Sequence, residues 1–347
     1  MYITEHSKAK VVCMEDNKQL AKYAETATRA PSVKALVVWG NEPVNAEVAK
    51  KCGVPVYAWD EFLELGSAVA DAAVTERCEA IRPGNCSTLI YTSGTTGPPK
   101  AVMISHDNVT WVCANMSEHY MTLNHQDRLI SYLPLSHIAA QLIDIHVPVF
   151  IGACTYFCQP DALKGTLTVT MREVRPTVFF GVPRVWEKIQ ERIVGIGREI
   201  TGVKKLISTW AKSVALQKNL NAQFGRGGAV PWSYGCASSL LAKITTLLGL
   251  GECKGCFTAA APIAPETINY FASINLPVYE VFGQSECTGP HTVSFRGEWK
   301  IGACGRPMFG TESMIVPSTG ELCYRGRHIF MGALSYCASV SDEVFRF

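Results

Sequence analysis

The sequence has no excess of one charge: 32 basic and 30 acidic residues leave a formal net charge of +2, and neither sign collects in one stretch. That balance argues against nucleic acid binding, which needs a basic face. The first residues, MYITEHSKAKVVCMED, lack a charged segment followed by an apolar core and a small-residue cleavage site, so they do not read as a secretion signal. Long apolar runs are missing too. The strongest, LIDIHVPVFIGACTYF, is too short for a bilayer and carries Asp144 and His146. No internal repeat or low-complexity tract is present. With 48% hydrophobic and 18% charged residues, the composition is that of a globular protein able to bury a sizeable core.

Cysteine is plentiful, 14 residues at irregular spacing, mostly in apolar settings such as KVVCM and GACTYFC. That usage reads as reduced core thiols of a cytosolic protein. Cys253 and Cys256 in CKGC have the spacing of half a zinc site or a redox motif, but no second pair accompanies them, so they are read as ordinary thiols.

Along the chain, short β-rich runs alternate with helical patterns. KAKVVCM precedes DNKQLAKYAETAT, KALVVWG follows, and VPVYAW precedes DEFLELGSAVADAAV. This alternation predicts an α/β fold with mostly parallel sheets flanked by helices. After STLIY and a glycine-rich loop, Ser105 is a candidate helix cap, with Val109, Val112, Cys113, Met116 and Tyr120 recurring at helical spacing. The pattern repeats at PTVFFGVPRVWEKIQERI, where Pro183 stands near a helix start, and at PETINYFASINLPVYEVFGQSE. There a helix feeds a strand over Val278 to Phe282. In open α/β sheets ligands gather at the carboxyl ends of strands, which is where both the glycine-rich loop and FGQSE fall.

That loop is TSGTTGPPK, residues 92–100. It lacks the Gly-Lys-Ser/Thr ending of a Walker loop and the G-x-G-x-x-G of a dinucleotide fold. What is present is a flexible hydroxyl-rich loop with free backbone N–H groups and Lys100 as a point charge, suited to wrapping a polyphosphate. Hydrogen bonds to charged groups contribute about 1.5–3 kcal/mol each, so three or four would matter. A polar surface turn is the plainer alternative for such a composition.

T-S-G-T-T-G-x-P-K resembles the signature loop of the adenylate-forming superfamily of acyl-CoA synthetases, amino-acid adenylation domains and luciferases. YLPLSHIAAQ, TAAAP and YEVFGQSE follow in that superfamily's order and at about its spacing. SYLPLSHIAAQ, FFGVPRVWEKIQE, QSECTGPH and GELCYRGRHIFMGAL look most like the long-chain acyl-CoA synthetases, and among them the bubblegum-type branch. The resemblance runs from about Lys10 to Leu334. It implies a long-chain fatty acid–CoA ligase: a carboxylate attacks ATP to give an acyl-adenylate and pyrophosphate, and the thiol of coenzyme A then displaces AMP. Charge builds on phosphate oxygens, so positioning and electrostatics would carry the catalysis.

The same resemblance assigns residues. Thr92, Ser93, Gly94, Thr95, Thr96, Gly97 and Lys100 would cradle the β- and γ-phosphates. Glu286 would bind Mg²⁺ jointly with the phosphates, with Thr92 as a second oxygen ligand. Phe282 stands where an aromatic residue, commonly tyrosine, stacks on adenine, next to Gly283. Ala260, Ala261 and Pro262 match the small-residue turn that lines the adenine pocket. Ser285 replaces the usual threonine and keeps the hydroxyl that meets the α-phosphate. His137 matches a histidine near the reacting carboxylate, where an imidazole donates to developing charge. Taken alone, His137 and Phe282 would read as core residues. Where some long-chain members have an aromatic gate to the acyl tunnel, this sequence has Gln141. At about 0.8 kcal/mol per buried CH₂, a fatty tail rewards an apolar tunnel that acetate could not use.

The helix around VKKLISTWAKSVALQK places Leu206, Trp210 and Val214 on one face with Lys204, Lys205, Lys212 and Lys218 nearby. Covering the domain core is the ordinary role of such a helix. Lying on a membrane surface is the alternative, which would make a cytoplasmic protein peripheral on the endoplasmic reticulum or another membrane. The resemblance further implies an incomplete chain. Residues 1–310 would form an adenylation core lacking its first α/β structure, 311–334 the start of a β-rich subdomain, and 335–347 a divergent tail. The family's G-W-x-x-T-G-D segment and C-terminal lysine domain have no counterpart, and Asp342 lacks the flanks of the ribose-binding aspartate. An inactive nucleotide-binding or partner protein, or an adenylating enzyme for another carboxylic acid, are the competing expectations.

Overall fold

A computed structural model describes residues 1–25, 29–92 and 98–334. Ser93, Gly94, Thr95, Thr96 and Gly97 of the phosphate loop, and Asp342 of the tail, lie outside the described residues. The chain divides into two units, each described by itself. One comprises Met1–Asn85, Tyr91–Ala101 and Ala333–Val344; the other comprises Cys86–Ile90, Val102–Gly332 and Phe345–Phe347.

In the first unit three strands, β1 (Val11–Met14), β2 (Ala35–Val38) and β3 (Val56–Ala58), form a parallel sheet in the order β1–β2–β3. The middle strand ALVV is buried at every position, as a strand with neighbours on both edges requires. The helix Asn17–Ala24 starts where the Asp16 side chain accepts a hydrogen bond from the Gln19 amide at 2.8 Å. It delivers Leu20 into a small core with Met14, Leu36 and Val38. The expected alternation of strand and helix is present.

The glycine-rich loop leaves β4 (Cys86–Thr92) and enters β5 (Lys100–Ser105). The helix His106–Asn115 follows, and Ser105 caps it as expected. Its hydroxyl accepts from the Asn108 amide at 3.1 Å, and Asn108 Oδ1 accepts from the Ser105 amide at 2.9 Å. Val109, Val112 and Cys113 on its inner face are buried. Strands β6 (Arg128–Ser131) and β7 (Cys154–Phe157) pair in parallel.

The centre of the second unit is a five-stranded sheet built from β8 (Val178–Phe180), β9 (Gly255–Thr258), β10 (Val278–Gln284), β11 (Gly289–Val293) and β12 (Arg306–Pro307). Strands β8, β9 and β10 are parallel, β11 runs antiparallel to β10, and β12 runs antiparallel to β11. The helix Pro183–Gly197, with Pro183 at its first turn, lays Trp186 on this sheet. The indole is fully buried between Phe179 and Phe271, at ring separations of 5.3 and 4.9 Å, and its N–H donates to the carbonyls of Gly181 and Phe257. Burying an aromatic this completely contributes about 1.5–3 kcal/mol. An antiparallel hairpin, β13 (Glu312–Ile315) and β14 (Leu322–Arg325), follows, and β15 (Gly332–Leu334) joins a sheet in the order β15–β5–β4.

Two features differ from the sequence expectation. In the helix Gly202–Asn221 the buried residues are Ala211, Ala215 and Asn219, whereas Val203 and Leu206 are 70% and 71% exposed. Small residues win the inner face because they let this helix approach the helix Tyr234–Leu248, against whose Ala237 and Leu241 they pack. Among the described cysteines, Cys52, Cys113, Cys256 and Cys287 are buried thiols, but Cys13, Cys78, Cys86, Cys154, Cys236 and Cys304 are exposed. A core role fits only part of the set. Among the described residues no helix is long and apolar enough to cross a membrane.

Candidate nucleotide site

Thr92 ends β4 and Lys100 begins β5. Within the first unit, both flanks of the loop are held by the helix Tyr2–Ser7. His6 Nδ1 lies 2.9 Å from the Tyr91 hydroxyl, and the Tyr2 hydroxyl donates to the Pro99 carbonyl at 3.0 Å. Tyr91 and Pro99 are thus tied to one helix, while the Lys100 side chain is exposed.

In the second unit, the carboxyl ends of β9 and β10 lie side by side. Thr258 pairs with Glu280, and the chain continues two residues on to Ala260 and Phe282. Ala260, Ala261 and Pro262 are exposed, and so is Phe282, at 36%. A phenyl ring left open at a strand end, beside a turn of small residues, fits a flat base better than it fits a core. Ala260 has φ +74°, a left-handed conformation that costs a non-glycine residue on the order of 1 kcal/mol and is typical of functional turns.

The turn after β10 is closely specified. The register of β10 on β11 shifts between Phe282 and Gly283, and a Cβ on Gly283 would fall 1.7 Å from the Gly289 carbonyl oxygen, so only glycine fits. Ser285, Glu286 and Cys287 then form a single tight helical turn, closed by Thr288 at φ +53°. The Cys287 thiol is buried inside it, donating to the carbonyls of Gln284 and Gly289, and burial pushes its pKa up to about 12. Cys287 is therefore a structural filler and not a nucleophile. From outside, the Phe330 amide donates to the Glu286 carbonyl at 2.9 Å, the Thr288 hydroxyl donates to the His328 carbonyl at 2.8 Å, and the Gln284 side chain meets the Tyr324 hydroxyl. The backbone of Glu286 is fixed, while its carboxylate enters no ion pair among the described residues.

His137 is exposed and stands at the N-terminus of the helix Ile138–Gln141. The chain continues through a wider π-helical turn, Leu142–His146, into the helix Val147–Ile151. Leu142 reaches Gly289, where an added Cβ would come within 2.7 Å of its Cδ1. The segment beginning at His137 therefore packs on the strand that closes the Glu286 turn. The Gln141 amide donates to the Leu135 carbonyl at 2.8 Å, so the residue at the gate position is tied back to its own loop. Within the π turn, Asp144 is buried, with Oδ2 unpartnered among the described residues. Burial drives its pKa up to about 7, partly offset by the Ser131 hydroxyl.

Ala260, Ala261, Pro262, Phe282, Gly283, Ser285, Glu286 and His137 belong to one unit, and Thr92 and Lys100 to the other. Sequence reading did not find Cys287, Thr288, Tyr324, His291, His328 or Asp144. The repeated histidines in QSECTGPH and RGRH were the available signal, but their meeting depends on tertiary structure.

An open aromatic beside a small-residue turn, and a carboxylate on a fixed backbone that enters no ion pair among the described residues, suit a nucleotide-using class of protein. The chain belongs to the AMP-binding enzyme family, whose pattern matches residues 1–334. It is similar to the long-chain-fatty-acid–CoA ligase ACSBG2 of Gallus gallus, 44% identical over 343 residues, covering 96% of this chain and 44% of that protein. It is also similar to the long-chain-fatty-acid–CoA ligase ACSBG1 of Mus musculus, 37% identical over 354 residues, covering 99% and 48% respectively. The chain spans about half the length of these curated relatives. In fold it matches the anthranilate CoA ligase AuaEII, solved with anthranoyl-AMP, at a TM-score of 0.63 and 16% identity, over 96% of this chain and 54% of that one.

Proposed function

We propose that this chain carries the nucleotide-handling half of a long-chain fatty acid–CoA ligase. The observation that carries the reading is the Glu286 turn: its backbone is locked by Gly283, Cys287, Thr288 and Phe330, and its carboxylate enters no ion pair among the described residues. Phe282 stacks on the adenine of ATP, and the turn Ala260 to Pro262 lets the base approach the backbone. Ser285 donates to the α-phosphate, and His137 donates to the reacting carboxylate. On motif correspondence, Thr92, Ser93, Gly94, Thr95, Thr96, Gly97 and Lys100 hold the β- and γ-phosphates.

Mg²⁺ fits this donor set. A magnesium ion carried by phosphates takes one or two carboxylates from a protein, and the Glu286 carboxylate on its fixed backbone is a hard oxygen donor of that kind. Glu286 would hold it, and when bound it neutralises charge on the phosphate oxygens. Coenzyme A is the acyl acceptor. Residues 311–334 open a β-rich subdomain beyond the adenylation core of residues 1–310. The exposed front of the helix Gly202–Asn221, with Lys204 and Lys205, supports peripheral contact of a cytoplasmic enzyme with membranes such as the endoplasmic reticulum, where its substrate partitions.

The test is Mg·ATP binding together with ATP–pyrophosphate exchange in the presence of palmitate, acetate or amino acids. Exchange driven by palmitate is the expected result, depressed at least about tenfold by Lys100→Ala and by Glu286→Gln. Exchange driven by another acid would move the substrate assignment. Binding without exchange would favour an inactive nucleotide-binding protein, and no binding at all would refute the site.

A further inference from the structure

Two imidazoles are buried where the β13–β14 hairpin meets β11. His291 and His328 are both fully inaccessible, with parallel rings, and His291 Nδ1 lies 2.9 Å from His328 Nε2. His291 Nε2 is 2.7 Å from the Ser313 hydroxyl on β13, and the Tyr324 ring of β14 stacks on His291 at 4.3 Å. Trp111 closes the other side of His328. His328 Nδ1 has no partner among the described residues, and beside it is Gly326, where an added Cβ would come within 2.8 Å. One tautomer arrangement leaves no buried N–H without an acceptor. His328 Nε2–H donates to His291 Nδ1, His291 Nε2–H donates to Ser313, and the bare lone pair of His328 Nδ1 faces Gly326. The chain from His328 to Ser313 therefore has a defined direction and needs both rings neutral.

The position of the pair gives it a role. His291 stands on the strand that follows the Glu286 turn, and its carbonyl accepts from the Met308 amide at 2.8 Å. His328 belongs to the stretch that supplies the outside bonds to that turn: its carbonyl holds Thr288, and Phe330 holds the Glu286 carbonyl. The same stretch is anchored by Asn108, whose amide donates to the carbonyls of Arg327 and Ile329 at 2.6 and 2.9 Å.

We propose that the His291–His328 pair is a positioning device for Glu286, a side chain-to-side chain bond that sets the spacing between β11 and the 326–330 stretch and so aims the metal-binding carboxylate. This rests on the reading of Glu286 as the Mg·ATP ligand. Neither histidine touches the nucleotide; both act through the turn.

Three variants of this chain test it: His328→Leu, His328→Gln, whose amide can donate from near the position of Nε2, and Ser313→Ala, which removes only the outer bond. Amide hydrogen exchange across residues 284–293 is read against residues 178–180 and 255–258, and calorimetry compares Mg·ATP with metal-free AMP. His328→Leu should speed exchange in 284–293 at least about tenfold with the sheet centre unchanged. It should also weaken Mg·ATP about tenfold while AMP stays within about twofold. His328→Gln should restore both, and Ser313→Ala should shift exchange in the same direction by less. Exchange unchanged in His328→Leu, exchange raised equally throughout the sheet, or equal losses for Mg·ATP and AMP would overturn the proposal. If His328→Leu does not fold, unchanged 284–293 exchange in Ser313→Ala does so. Absent Mg·ATP binding by the unaltered chain would refute the nucleotide reading, and the exchange comparison would still decide whether the pair holds the turn.

Discussion

Glu286 and Asp144 are two carboxylates of the second unit placed by opposite means. Around Glu286 the chain uses its hydrogen bonds on the backbone and on neighbouring side chains, and among the described residues the carboxylate enters no ion pair. Asp144 is driven into the core by the π turn that follows His137, and burial keeps its carboxyl half-protonated near neutral pH. The first arrangement invests in geometry and leaves charge available to a ligand. The second suppresses charge and gives up stability wherever the solvent is basic enough to ionise the group.

The largest expected effect breaks the geometry itself. Gly283→Ala drives a methyl group into the Gly289 carbonyl and should destabilise the chain by about 3 kcal/mol, read from the urea midpoint at unchanged slope. Asp144→Asn should be smaller and opposite in sign. The folded-state pKa of Asp144 is raised from 3.8 to about 7, so its contribution is fully present below 3.8 and is lost as pH rises through 7. The variant should therefore be more stable than the parent by about 2 kcal/mol at pH 8, with the gain vanishing near pH 4, in unfolding curves at the two pH values. The smallest shift belongs to Glu286→Gln. Its unfolding free energy should stay within about 0.5 kcal/mol of the parent, because the carboxylate holds nothing in place. A large loss there would erase the contrast between the two acids.

Much of this was legible in the sequence, and the reason is locality. The Ser105 cap, Pro183 at a helix start and the strand that ends in FGQSE depend on neighbours within a few residues, and each stands where its pattern says. Gly283 shows its reason only in the fold, where a Cβ would strike the Gly289 carbonyl oxygen. Other features answer to partners far along the chain. His291 and His328 are separated by 37 positions, and only the folded hairpin brings them together. The face of the helix Gly202–Asn221 was misleading for a related reason. Leu206 and Trp210 of the apolar stripe stay exposed and only Val214 packs inward, beside Ala211 and Ala215, whose small side chains permit close approach of the partner helix. Periodicity reports which face is apolar and is silent on how near the neighbour comes.

Gly289 also sets a clearance. Because it has no side chain, Leu142 can rest against the backbone that closes the Glu286 turn, a few residues downstream of His137. A methyl group there would push the Leu142 side chain from its seat, on a backbone whose φ of +98° already favours glycine. The fit between the histidine-bearing segment and the acid-bearing turn is thus as close as one leucine tip against bare backbone.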